Sequence, residues 1–310
     1  MRRIVEKNQL YCCVVSDDKK YTACLVKNEL SLYKTSGFEP VGSASVGHAY
    51  NIVFSQDGTR LFVLKDRRIV TFSVGEELAK TGEVRLHYRE FDLYVPVGNC
   101  IYTCVRIPNR DVYKLVRVSD FIAETVFEFS DERKIIDIEF YDGSLYFCGV
   151  KDTKIVVGSI SVSGSLIREE VFESPIDSRR ISDMIYSPER GYLMLLSPSL
   201  VRLLYNDVCA YDTDGTELQR VFNTERGIYT GMCFAGKNRE FAVLHGLEKL
   251  TVVSSQNGKT VFDEALPFIQ SVIVSGGGDC IFASNGERGF LFKTETERRR
   301  NNERKQKTKH

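Results

Sequence analysis

Several short stretches carry residue types that bind phosphate or metal, and each fails on its surroundings. Gly231-Met232-Cys233-Phe234-Ala235-Gly236-Lys237 satisfies GxxxxGK. A phosphate-cradling loop also needs Ser or Thr next, and a helix whose N-terminus faces the phosphate. Here Asn238 follows, and then the strand-like run Phe241-Ala242-Val243-Leu244. Asp212-Thr213-Asp214-Gly215 imitates the centre of a calcium loop, but in that register Ala210 and Val221 stand where the first and last carboxylates belong. Ser275-Gly276-Gly277-Gly278 reads as a hairpin turn, where glycine permits a positive φ. Nine cysteines (12, 13, 24, 100, 104, 148, 209, 233 and 280) include no CxxC, and the four histidines (48, 87, 245 and 310) are scattered. That pattern suits reduced, buried thiols better than a zinc site or a disulfide framework. His245 follows a predicted core strand and reads as a packed residue. No nucleophile stands beside a base, so no catalytic, metal or cofactor residue is assigned and no cofactor is expected.

Composition narrows the field further. The chain has 310 residues, 43% hydrophobic and 27% charged, with a formal net charge of zero, which excludes a disordered or fibrous protein. The N-terminal MRRIVEKNQL is too polar for a secretory signal, and no apolar run reaches the roughly 18 residues of a membrane span. The expectation is a soluble, cytoplasmic monomer with no membrane association. The zero charge conceals an asymmetry. Residues 298–310 hold seven Lys/Arg and one acid, leaving 35 bases against 41 acids elsewhere. A basic segment without apolar residues reads as a disordered, solvated tail.

The rest of the chain repeats one phrase: an apolar strand, a polar turn, and a second apolar strand, clearest in NIVFSQDGTRLFVL (51–64). Aligned on the start of the second strand, the copies fall at Tyr21, Leu61, Ile101, Leu145, Tyr192, Phe241 and Ile281, spaced by 40, 40, 44, 47, 49 and 40 residues. A third strand follows each anchor, as in LSLYK (30–34) and IVTFSV (69–74), then a turn and a more polar fourth strand such as ELQRVF (217–222). Alternation of β-branched and aromatic residues between regular turns argues strand throughout. Units of four strands repeated radially make an all-β, seven-bladed β-propeller of antiparallel blades. The last unit lacks a fourth strand, and Arg2–Glu6 is spare, so strand 2–6 is expected to complete the last blade and close the ring. The expected organisation is a propeller over 1–297 and the basic tail over 298–310. The longest interval places an insertion within 197–207.

The second unit, GHAYNIVFSQDGTRLFVLKDRRIVTFSV (47–74), resembles the WD-repeat propellers. Gly47-His48 matches that family's GH dipeptide and Asp66 its turn aspartate. Asp152 matches the turn aspartate in another unit. Phe72 stands at the usual Trp position and the chain has no Trp, so the resemblance is to a degenerate, WD-repeat-like propeller. It implies a structural hydrogen-bond network through His48, Asp66 and Asp152, and a binding platform in place of an enzyme.

The resemblance also implies that loops joining successive blades gather on one face around the channel mouth. Those loops carry Arg89, Arg133, Arg179 with Arg180, and Arg226, at intervals of 44, 46 and 47 residues, together with Tyr50, Tyr88 and Tyr229. Turns between second and third strands add Arg67, Arg68 and Arg110 on that face. Converging guanidinium groups with tyrosines suit an acidic protein or peptide partner. Many of these arginines have acidic neighbours, however, and local pairing is the competing reading. The expected function is a non-enzymatic interaction scaffold. The alternatives are a small-molecule-binding or hydrolytic, lactonase-like propeller using the central channel, and nucleic-acid association through the tail.

Overall fold

In a computed structural model of the chain, described over residues 2–86, 93–107, 112–198, 205–224, 227–236 and 238–294, the repeat closes into a ring. Strand β1 (Arg2–Asn8) comes first. Blade 1 is β2 (Leu10–Val15), β3 (Tyr21–Val26), β4 (Glu29–Lys34) and β5 (Glu39–Ser45). Blade 2 is β6 (Asn51–Phe54), β7 (Arg60–Lys65), β8 (Arg68–Val74) and β9 (Leu78–Arg85), and blade 3 is β10 (Leu93–Val97), β11 (Cys100–Arg106), β12 (Tyr113–Val118) and β13 (Ala123–Glu128). Blade 4 follows with β14 (Lys134–Tyr141), β15 (Ser144–Lys151), β16 (Lys154–Ser161) and β17 (Leu166–Glu173). Blade 5 is β18 (Asp183–Ser187), β19 (Tyr192–Pro198), β20 (Asn206–Asp212) and β21 (Gln219–Asn223), and blade 6 is β22 (Tyr229–Ala235), β23 (Phe241–Gly246), β24 (Lys249–Ser254) and β25 (Thr260–Ala265). The seventh sheet joins β26 (Ser271–Ser275), β27 (Cys280–Ser284) and β28 (Arg288–Lys293) to β1 in the order β1-β28-β27-β26. The expected insertion within 197–207 lies mostly outside the described residues, and the tail expected over 298–310 lies wholly outside them.

Alternation along the strands explains why the sheets stack. The second strand of each blade is buried on both faces, as in β7 (Leu61, Phe62, Val63 and Leu64, all 0% exposed), because neighbouring blades cover both sides. Outer strands such as β25 alternate between half-buried and exposed, since only one face meets a neighbour. The core is therefore a set of inter-blade layers. Cys12, Leu25 and Leu32 of blade 1 pack with Ile52, Leu61 and Phe72 of blade 2, and Leu10, Cys13 and Val15 of blade 1 pack with Cys280, Phe282 and Leu291 of blade 7. Burying each of the valine, leucine, isoleucine and phenylalanine side chains among them stabilises the fold by about 1.5–3 kcal/mol.

Connections gather at the two ends of the ring. Turns between first and second strands, and between third and fourth, lie at one end, called lower here. Turns between second and third strands, and the links from one blade to the next, lie at the upper end. Lower turns of adjacent blades are stitched by backbone hydrogen bonds: Gln56 N donates to Gly98 O (2.9 Å), Gly236 N to Gly278 O (2.9 Å), and Gly276 N to Val15 O (2.9 Å). Residues 231–236 of the GxxxxGK stretch form the end of β22 and the start of a lower turn, and 276–278 form a turn with three positive φ values (63°, 64° and 90°).

Candidate functional site

The upper end takes its shape from short links, and its charged residues fall into three groups. The first is exposed. Ser178–Arg180 forms a short 3-10 turn capped by Asp177, whose side chain accepts from Arg179 N (3.1 Å). The Arg179 side chain is 85% exposed and bonds Asp177 through Nε and Nη2 (both 3.0 Å), while Arg180 Nη2 donates to Pro198 O (3.2 Å). Arg68 is exposed and pairs with Glu83 (3.0 Å). Exposed pairs of this kind hold their members weakly. Arg67 occupies the two-residue turn between β7 and β8 with a left-handed backbone (φ 53°), and its Nε is buried without a hydrogen-bond partner. Tyr50 is 46% exposed at the entry to blade 2. The same end exposes Leu247 (44%) and Phe268 (66%), joined by the bond from Phe268 N to Leu247 O (2.8 Å).

The second group corrects the sequence reading. Arg133, expected on the open face, is buried at 5%. Its guanidinium is held by Asp131 of its own loop and Glu169 of β17 (2.6 Å) and lies 5.1 Å over the Phe129 ring. That combination of carboxylates and a ring face commits it to the blade. Lys151 pairs with the same Asp131. Tyr229 is likewise buried (3%), with its hydroxyl 3.3 Å from Thr251 Oγ1, so it serves packing within blade 6. The third group, Tyr88, Arg89, Arg110 and Arg226, lies outside the described residues. The network implied through His48, Asp66 and Asp152 does not assemble. All three are exposed, and no hydrogen bond joins them among the described residues.

Sequence reading missed a set of polar residues on the innermost strands. The innermost strands hold one equivalent position per blade, set by pairing with the second strand: Cys12 opposite Leu25, Asn51 opposite Leu64, Leu93 opposite Cys104, Asp137 opposite Cys148, Asp183 opposite Leu196, Gly231 opposite His245, and Ser271 opposite Ser284. Asn51 Oδ1 accepts from Ile52 N (2.9 Å) and from the Cys12 thiol (3.1 Å), and its amide reaches Tyr94 OH, tying blades 1, 2 and 3. Asp183 accepts from Met184 N (2.8 Å) and, across to blade 6, from Met232 N (2.8 Å). Burial nevertheless pushes its carboxyl up to about 6. Gly231 leaves room beside it: a Cβ there would meet His245 Nε2 at 2.6 Å and Asp183 Oδ2 at 3.4 Å. Burial in turn pushes His245 down to about 4, and its Nδ1 is buried without a partner.

These strands surround a cavity of about 380 Å³, lined mainly by apolar side chains such as Val53, Val95, Ile138, Phe234 and Ile273, with Asp17, Asp137 and Glu139 as its carboxylates. Arg239, its guanidinium 5.2 Å over the Tyr141 ring, pairs with Glu139. Desolvation and then the repulsion of Glu139 and Asp183 raise Asp137 well above the usual carboxylate range. The signal available in the sequence was the pair Asp137 and Glu139 at alternate positions of the otherwise apolar KIIDIEFY. Among the described residues no three His, Cys, Asp or Glu side chains come together to hold a metal. All nine cysteines are free and six are buried. No described helix is long and apolar enough to cross a membrane.

Comparison with solved structures gives the same architecture. The β-propeller domain of Cps50 (Swd1) from Myceliophteria thermophila matches with a TM-score of 0.62 at 11% identity, over 95% of this chain and 99% of that domain. At that identity the likeness is one of fold. No family model and no curated protein matches the sequence.

Proposed function

We propose that the protein is an interaction scaffold whose partner, a protein or peptide of acidic character, sits on the upper end around the channel mouth. The observation that carries this is the state of the cations there. Arg67 presents a guanidinium with a buried, unpartnered Nε from a strained turn on blade 2, and on blade 5 Arg179 is tied only to its own exposed cap. Among the described residues Arg67 makes no ion pair and Arg179 none beyond its own cap, so a carboxylate from outside can pair with the accessible part of either guanidinium. Tyr50, Leu247 and Phe268 supply exposed apolar area on the same end. Arg133 and Tyr229 are not part of the surface, because both are spent within their blades. A propeller offers this without enzymatic machinery, although fold alone never fixes function.

The test is affinity capture with the full chain and with Arg179→Glu/Arg180→Glu, followed by identification of what is retained. The expected outcome is loss of one specific partner with a thermal midpoint unchanged to within roughly 0.5 kcal/mol of stability, as for exposed substitutions generally. Retention of the same partner by the charge-reversed chain overturns the reading.

A second reading places a small molecule in the channel. Its support is the mainly apolar cavity with Asp137 and Glu139 on its wall. Asp137→Asn would then abolish ligand binding while leaving capture through the upper end intact.

A further inference from the structure

We propose that the basic segment 298–310 docks in cis onto the lower end of the propeller, a surface separate from the upper face assigned to the partner. The first observation is charge. The lower turns contain 12 Asp/Glu and six Lys/Arg, so this end carries a net charge equal and opposite to the +6 of the segment. Some of these carboxylates are already satisfied: Asp279 by Lys19, Asp18 by Lys20 and Asp120 by Arg60. Others are open. Glu76 and Glu77 on blade 2, Asp142 on blade 4, and Glu189, Asp214 and Glu217 on blade 5 are exposed and make no ion pair among the described residues. Asp214 and Glu189 belong to one locality, because a Cβ on Gly191 would lie 2.7 Å from Asp214 Oδ1.

The second observation is where the chain leaves the fold. Strand β28 runs from the upper end to the lower, and Thr294 is anchored there by its N–H to Asp279 O (2.8 Å). Only three residues separate this anchor from the basic segment, so its tether is at the acidic end and not at the cationic one. Sixteen residues follow Thr294, and at about 3.3–3.6 Å each they reach on the order of 50 Å. A domain of this size has a radius of gyration of about 19 Å, so the segment reaches every lower turn. Single exposed ion pairs are weak. Tethering changes that balance, because a short linker holds the segment at an effective concentration around the millimolar range.

The experiment uses a fluorescent peptide of residues 298–310 and three proteins: the full chain, a chain ending at Glu297, and that shorter chain with Asp142→Asn, Glu189→Gln, Asp214→Asn and Glu217→Gln. Anisotropy is read at low and at high salt. The expected result is binding to the shorter chain that weakens steeply with salt, as screened surface charges require. Binding to the full chain should be roughly tenfold weaker, because its own segment competes. Binding to the neutralised variant should fall similarly, with a thermal midpoint showing that it still folds. Zero-length carbodiimide cross-links within monomeric full chain, from Lys305, Lys307 or Lys309 to the lower-end carboxylates, are the second readout. Equal binding to full and shortened chains, no binding to the shortened chain at low salt, or cross-links found only in dimers would each overturn the proposal, the last assigning the surface to a second copy.

Discussion

At the residue scale, Asp183 and His245, the two neighbours of Gly231, respond to pH in opposite directions. The Asp183 carboxyl is held near 6, above its unfolded value, so the folded state takes up its proton as pH falls from about 6 towards 4, and stability is gained on that fall. His245 behaves oppositely. Its folded value of about 4 lies below the unfolded one, so its contribution is complete above about 6.5 and is lost as pH falls to about 4. Between pH 6.5 and 4 the two offset one another. Asp183→Asn removes the gain and leaves the loss, so the drop in thermal midpoint from pH 7 to pH 5 should be larger than in the parent chain. His245→Gln should make that drop smaller. Melting curves at the two pH values check both, and an unaltered pH slope in both variants would show that neither group titrates as described. None of this was legible beforehand. A single aspartate heading an apolar strand looks like a turn residue, and its role as the staple to Met232 exists only once blade 6 is beside it. Arg133 and Tyr229 were misplaced for a related reason: loop position is readable from spacing, but burial depends on Glu169 and Thr251, which are distant in sequence.

At the scale of the element, the strands were legible almost to the residue. The second strands begin at Tyr21, Arg60, Cys100, Ser144, Tyr192, Phe241 and Cys280, within one residue of the anchors read from the repeat. Apolar alternation bounded by Gly and Asp turns is a local property, so it survives the loss of the family's signature residues. What holds one element against the next was not legible, because it depends on backbone approach. Gly246 at the end of β23 is an example: a Cβ there would overlap Ile228 O and crowd Tyr229 Cα (2.8 Å) in the incoming link. Gly246→Ala should therefore destabilise the protein by about 1–3 kcal/mol, as overpacking at a rigid contact does. Denaturant midpoints measure this, and a neutral substitution would mean that the link yields.

For the whole molecule, the seventh sheet joins strands from the two ends of the described chain. Strand β1 pairs with β28 from Arg2 opposite Lys293 to Asn8 opposite Arg288, and β2 packs on the same sheet through Leu10, Cys13 and Val15. Removing residues 2–8 would leave β28 as a bare edge, which invites pairing with another chain. The expected outcome is a lower thermal midpoint together with concentration-dependent association on size-exclusion chromatography, both reversed by adding a peptide of residues 1–9. A monomer of unchanged midpoint would show that the pairing is dispensable. The charge difference between the two ends was not readable from sequence, because it needs the topology to assign each turn to its end. The pairing also sets an order on synthesis. The residues that make β1 leave the ribosome about 280 residues before their partners in β28, a wait on the order of tens of seconds at cellular elongation rates. During that interval the nascent chain is an open arc with an unpaired strand at its leading edge, so the protein depends on whatever shields that strand until the final blade has been translated.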